Sequence, residues 1–201
     1  MTSTPPGPAA PPRRPGRGDR GAGTRGFIVD AAVSLIADRG FSATSVDDIA
    51  SEAGVAKGSI YYNFGSKTAL FEAVIVEGVG RLTTARRASA EGLEGRAAIE
   101  ALVSELLDQV RAHPDFAKLM VAEIFRTGRD WQESIRLVRE ESMGIFADAV
   151  ATSRPDLDPS LTAAAIFGAT LVTGLEWLAF QPHRPADDVR QSVLTMVLDA
   201  Y

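Results

Sequence analysis

The sequence predicts an all-α protein of about nine helices. Three observations predict it. Apolar residues recur at spacings of three and four along most of the chain after Thr24. No stretch alternates apolar and polar residues as a half-buried strand would. Gly, Pro and Ser or Asp interrupt the periodic runs where helix ends and caps belong.

Residues 1–23 are rich in Pro, Gly and Arg and hold little to bury, so a disordered arm is expected there. Its Arg13, Arg14, Arg17 and Arg20 suit either a solvated tail or an arm reaching DNA phosphates. A helix follows over about 24–39, with Phe27, Ile28, Ala31, Ala32, Leu35 and Ile36 on one stripe. Arg39 suits the helix dipole in the last turn, and Gly40 suits the residue beyond it. Phe41 is expected to tuck into the small core.

Ser45-Val46-Asp47-Asp48 resembles a capping box, with Asp48 in place of the usual Glu. A helix over about 46–53 buries Ile49, Ala50 and Ala53. Gly54 allows a sharp turn, and Val55 plugs the space before a third helix over about 56–62. Ile60 and Phe64 point inward, which leaves Lys57, Gly58, Ser59, Tyr61 and Tyr62 for solvent or a partner. Consecutive helical residues point about 100° apart, so Tyr61 and Tyr62 cannot both be buried in so small a unit. Two short helices on a tight turn, the second dense in hydrogen-bond donors, form a helix-turn-helix over 45–64. The second helix of that motif enters the DNA major groove.

Gly65-Ser66 ends this helix and caps the next, which starts near Lys67 and is expected to weaken at Gly78 and Gly80 by about residue 82. Further helices are expected at 96–112, broken by His113-Pro114; at 115–126; at 130–152, capped by Asp130; at 159–180, opened by Asp158-Pro159; and at 186–200.

The run Thr24–Ile75 resembles the TetR family of bacterial transcriptional regulators. The resemblance rests on Thr44-Ser45-Val46-x-x-Ile49-Ala50, Ala53-Gly54-Val55, Gly58-Ser59-Ile60-Tyr61-Tyr62-x-Phe64 and Ser66-Lys67-x-x-Leu70. It implies a DNA-binding head over 24–72 on a helical ligand-binding and dimerisation domain over 73–201. It implies that Lys57, Gly58 and Tyr61 contact base edges, and that Ser45, Ser59, Tyr62, Asn63 and Lys67 contact phosphate. Asn63 stands where the family often has His. A homodimer through the helices at about 159–180 and 186–200 follows, with a palindromic double-stranded operator. The chemistry agrees. Tyr61 can offer its ring to a thymine methyl, and Lys57 can reach guanine acceptors. Ala163, Ala164, Ala165, Gly168, Ala169 and Gly174 would allow close helix approach, in a dimer or in the chain's own core.

Composition narrows the function. Apolar residues make up 45% of the 201, enough for a real core. The absence of Cys excludes disulfides and thiol chemistry. Residues 1–26 hold no apolar signal segment. Thr162, Thr170, Thr173 and Glu176 break the most apolar window, so a buried helix and a cytoplasmic protein are expected, with no membrane partner. The net charge of −5 divides as +3 over residues 1–23, −2 over 24–72 and −6 over 73–201, so the head is not basic overall.

No catalytic residue, metal site or cofactor is expected. His113 and His183 are isolated beside prolines, and Asp158 of Asp156-x-Asp158 reads as a helix cap. No phosphate loop or nucleophile elbow is present. A pocket for a small hydrophobic effector is expected among 96–180. Phe116, Met120, Phe125, Trp131, Met143, Phe146, Phe167 and Trp177 are its apolar candidates; Glu123, Thr170, Thr173 and Glu176 are the polar ones. Together these point to a ligand-responsive regulator, a repressor in the first instance. An all-α enzyme and a protein-binding module are the rivals.

Overall fold

Helix ends fall close to the punctuation in the sequence. The computed structural model describes residues 17–124 and 132–199. Among them are nine α-helices and no strand: α1 Arg17–Arg39, α2 Val46–Glu52, α3 Lys57–Phe64, α4 Lys67–Ser89, α5 Gly95–Ala112, α6 Pro114–Ile124, α7 Gln132–Ser153, α8 Pro159–Phe180 and α9 Ala186–Leu194. A wider π-helical turn over Thr195–Asp199 continues α9. Phe125, Asp130 and Trp131 lie outside the described residues.

The helix starts are capped as their sequences predict. Ser45 closes a reciprocal box with Asp48 ahead of α2. The Ser66 side chain accepts from the Ala69 amide ahead of α4. The Asp158 carboxylate accepts from the Leu161 amide at 2.8 Å, with Pro159 in the first turn of α8. Each satisfies an amide that the helix leaves without a partner. Gly54 adopts φ +64° between α2 and α3, a conformation that disfavours other residues.

Two helices are longer than expected. α1 begins at Arg17, inside the stretch 1–23 for which a disordered arm is expected. Pro15 is the last proline before α1, and beyond it each residue joining an existing helix gains a hydrogen bond. α4 runs through Gly78 and Gly80 to Ser89. A Cβ on Gly78 would lie 2.7 Å from the Phe116 ring, so glycine there admits α6 against α4. Tertiary packing overrides propensity.

Two apolar clusters hold the molecule. The first joins Ile28, Ala32 and Ile36 of α1 to Ile49, Ile60, Leu70, Phe71 and Ile75, and it continues into Phe116, Leu119, Ile135 and Val138. Phe41 is partly buried and meets Phe71 at 5.1 Å between ring centroids. The head's core thus reaches α6 and α7, past residue 72. The second cluster gathers Leu102, Leu106 and Val110 of α5 with Phe146, Ile166, Trp177, Val189 and Val193. Ala163 is fully buried in it, and a Cβ on Gly174 would stand 3.0 Å from Val110. These two small residues serve the chain's own core.

Candidate nucleic-acid interface and core cavity

α3 presents its polar groups outward because its one fully buried side chain, Ile60, fixes the register. Tyr61 is 47% exposed and Tyr62 91%. Lys57, Gly58 and Tyr61 occupy one face at i, i+1 and i+4. A Cβ on Gly58 would meet nothing within 4 Å, so no packing within the chain calls for glycine there. The space over that backbone is left for an approaching surface.

The other predicted contacts are occupied to different degrees. The Lys57 ammonium donates to Asp47 Oδ2 at 2.8 Å, and that bond raises its pKa. Both groups are exposed, and exposed pairs are weak. The Ser45 hydroxyl donates to Asp48 Oδ2 at 2.6 Å and accepts from the Asp48 amide at 3.0 Å. Ser59 is half-buried, and its carbonyl accepts from Asn63 Nδ2 at 2.7 Å. The Lys67 ammonium donates to the Phe41 carbonyl and lies 4.1 Å above the Phe41 ring. Burial lowers its pKa. Gly58, Tyr61 and Tyr62 are therefore open to solvent and Lys57 is held only by an exposed pair, whereas Ser45, Asn63 and Lys67 spend side-chain groups on part-buried or capping contacts of the head.

Sequence reasoning passed over Arg25. Its guanidinium lies 4.3 Å over the Phe64 ring, donates to the Asn63 carbonyl at 3.1 Å and pairs with Glu77. It ties α1 to the end of α3 and to α4. No spacing signal marks it.

Behind the head, α4, α5, α6, α7 and α8 surround a cavity of about 80 Å³. Of the predicted lining, Phe116, Met120, Met143 and Phe167 face it. Phe146 instead is buried edge-on against Phe167, and Trp177 donates to the Arg184 carbonyl at 3.0 Å. The polar candidates are elsewhere: Thr170 donates to the Ile166 carbonyl, and Glu176 accepts from Gln181. Arg86, Gln109, Ser142, His113 and Arg139 supply the polar lining. No group of three or more His, Cys, Asp or Glu stands ready for a metal among the described residues.

A helix-turn-helix head whose second helix is open, set on a helical body with a core cavity, defines a DNA-binding transcriptional regulator. Residues 28–74 match the family model described as bacterial regulatory proteins, tetR family. The chain is 30% identical over 194 residues to the HTH-type transcriptional repressor KstR2 of Rhodococcus jostii, an alignment covering 89% of this chain and 91% of that one. The chain belongs to the tetR family. Its fold is shared with FadR of Bacillus subtilis, solved in complex with stearoyl-CoA (21% identity, TM-score 0.75, 87% of this chain and 98% of that one). It is shared also with the ketosteroid regulator KstR2 of Mycobacterium tuberculosis (24% identity, TM-score 0.71, 88% and 93%).

Proposed function

We propose that this chain is a homodimeric repressor released from a palindromic operator by a small apolar effector. The outward face of α3 carries the reading: Tyr61 and Lys57 address base edges, with Gly58 admitting the groove. Tyr62 and Ser59 address phosphate. Ser45, Asn63 and Lys67 join them by exchanging their present partners for phosphate oxygens. Residues 24–72 act as the head, and 73–201 as the effector and dimer body.

Support for pairing comes from α8. Leu161, Val172 and Phe180 are 73%, 60% and 78% exposed, and with Ala165 and Ala179 they continue one outward stripe. The helix is long and apolar enough to cross a membrane, yet only 28% of its most apolar window is buried in the single chain. A second copy would cover that stripe. It would set two α3 helices about one DNA turn (~34–36 Å) apart, or modestly more.

Support for an effector comes from the cavity. At about 80 Å³ it is smaller than the roughly 300–1,000 Å³ of drug-sized sites. An effector must therefore spread the surrounding helices, and α4 and α6 carry that movement to the head. An effector favouring the spread state weakens operator binding by its differential affinity, about 5–150-fold for a coupling of ~1–3 kcal/mol. The KstR2 and FadR relatives, one named for ketosteroids and one solved with stearoyl-CoA, are consistent with an apolar ligand.

A salt titration tests the DNA reading. A dimer touching roughly 6–10 phosphates should lose affinity with a log–log slope of about −5 to −9. A flat response would favour a protein partner for the tyrosine-bearing face.

A further inference from the structure

The DNA face makes no use of the cation in the cavity wall. Arg86 is 3% exposed. Burial draws its pKa down to about 10, with Glu105 acting in the opposite direction, so it stays charged at neutral pH. A guanidinium has five N–H donors, and this one makes three hydrogen bonds. Nη1 donates to Gln109 Oε1. Nη2 donates to Thr83 Oγ1 at 3.1 Å and Ser142 Oγ at 3.3 Å. Nε has no partner. All three acceptors are neutral. The nearest carboxylate link is indirect: Glu105 Oε1 accepts from Gln109 Nε2 at 2.9 Å. A buried cation with no anion bonded to it is costly.

The cavity walls show the same bias. Their ionisable groups are Arg86, His113 and Arg139, with no Asp or Glu. The remaining surface is almost wholly apolar. An amine would be repelled here. An alcohol would gain only neutral hydrogen bonds, whereas a carboxylate gains charge-assisted ones about twice as strong.

We propose that Arg86 is the anchor for the carboxylate of an apolar carboxylic acid, whose hydrocarbon body lies along Val79, Val110, Phe116, Met120, Val138 and Met143. The inference rests on the effector-responsive reading and adds the chemical class of the effector. Ser142 and Thr83 help by turning their hydroxyl protons toward the bound oxygens.

Calorimetry with decanoate, 1-decanol and decanoyl-CoA tests it. The wild-type chain is compared with Arg86→Met and with the double variant Glu105→Gln/Gln109→Glu. The double variant keeps the net charge but sets a carboxylate directly on Arg86. Arg86→Met removes the buried charge at similar volume, and its melting temperature, with that of the double variant, shows that each is folded. Decanoate should bind the wild type at least about tenfold more tightly than 1-decanol, and the ratio should fall to about one in both variants while their operator affinity is kept. Acid binding no tighter than the alcohol, a ratio unmoved in the variants, or decanoyl-CoA binding tenfold better than the free acid would overturn the proposal. Operator release by the alcohol as readily as by the acid would remove the carboxylate anchor and keep the effector reading. Arg86-dependent acid binding without operator release would do the reverse.

Discussion

The α3 face gathers its open groups within Lys57–Tyr62, six consecutive residues, whereas the cavity draws its wall from five helices and from residues as far apart as Val79 and Leu171. The first surface is solvent-facing and fixed by one buried anchor, Ile60. The second is apolar and fixed by long-range packing around one buried cation. A local surface tolerates changes to its side chains without loss of fold. In the non-local one, Val79, Phe116 and Val138 also belong to the core that joins both regions, so changing them costs stability as well.

That contrast can be broken most forcefully at the shared core. Phe71 is fully buried, and Phe71→Ala should lower stability by about 3–5 kcal/mol, read by urea titration. Because the cluster around it runs from the head into α6 and α7, unfolding should remain one transition. Separate melting of the head would show the two regions to be independent. Tyr61→Ala should cost about 1–3 kcal/mol of operator affinity and relax base preference at one position, with the melting temperature unchanged. A large loss of stability would mean that the ring packs instead of reading.

Smaller effects sharpen the boundary between structural and DNA-facing groups. Ser45→Ala should lower stability by about 1 kcal/mol through loss of the cap. The Ser45 hydrogen bonds hold the Asp48 carboxyl below the usual range. Its stabilising contribution is therefore present at neutral pH and lost as pH falls through the lowered folded-state pKa. An acid titration of Ser45→Ala should lose the hydroxyl's share of that component and keep the share of the Ser45 amide, which also donates to Asp48. Lys67→Ala should weaken all DNA sequences about equally and reduce the dimer's salt slope by about two, one for each copy. A change in base preference would move Lys67 into the reading set.

The head was legible in the sequence because its determinants are local. Ser45 with Asp48 fixed the start of α2, Gly54 fixed the turn, and the spacing of Ile49, Ile60 and Leu70 fixed which side faces in. The end of α4 was not legible, since the ring that favours glycine at position 78 comes from Phe116, 38 positions later. Arg86 was not legible as a pocket residue because it lies on α4, outside the stretch 96–180 that holds the large apolar side chains. One signal did exist: Val79, Thr83 and Arg86 follow the three-to-four spacing of a buried stripe, and a cation in that register is unusual. The small residues of α8 were ambiguous for a physical reason. Ala163 and Gly174 turn inward while Ala165 turns outward, and composition does not distinguish the two faces.

The most direct test of the central claim, that paired α3 helices read one duplex, is selection of bound DNA from a random pool with the full chain and with Tyr61→Ala. A palindrome is expected whose half-site centres lie about one helical turn (~34–36 Å) apart or modestly more, with one position of each half-site blurred in the variant. An enriched site without two-fold symmetry, or no enrichment over the starting pool, would contradict it.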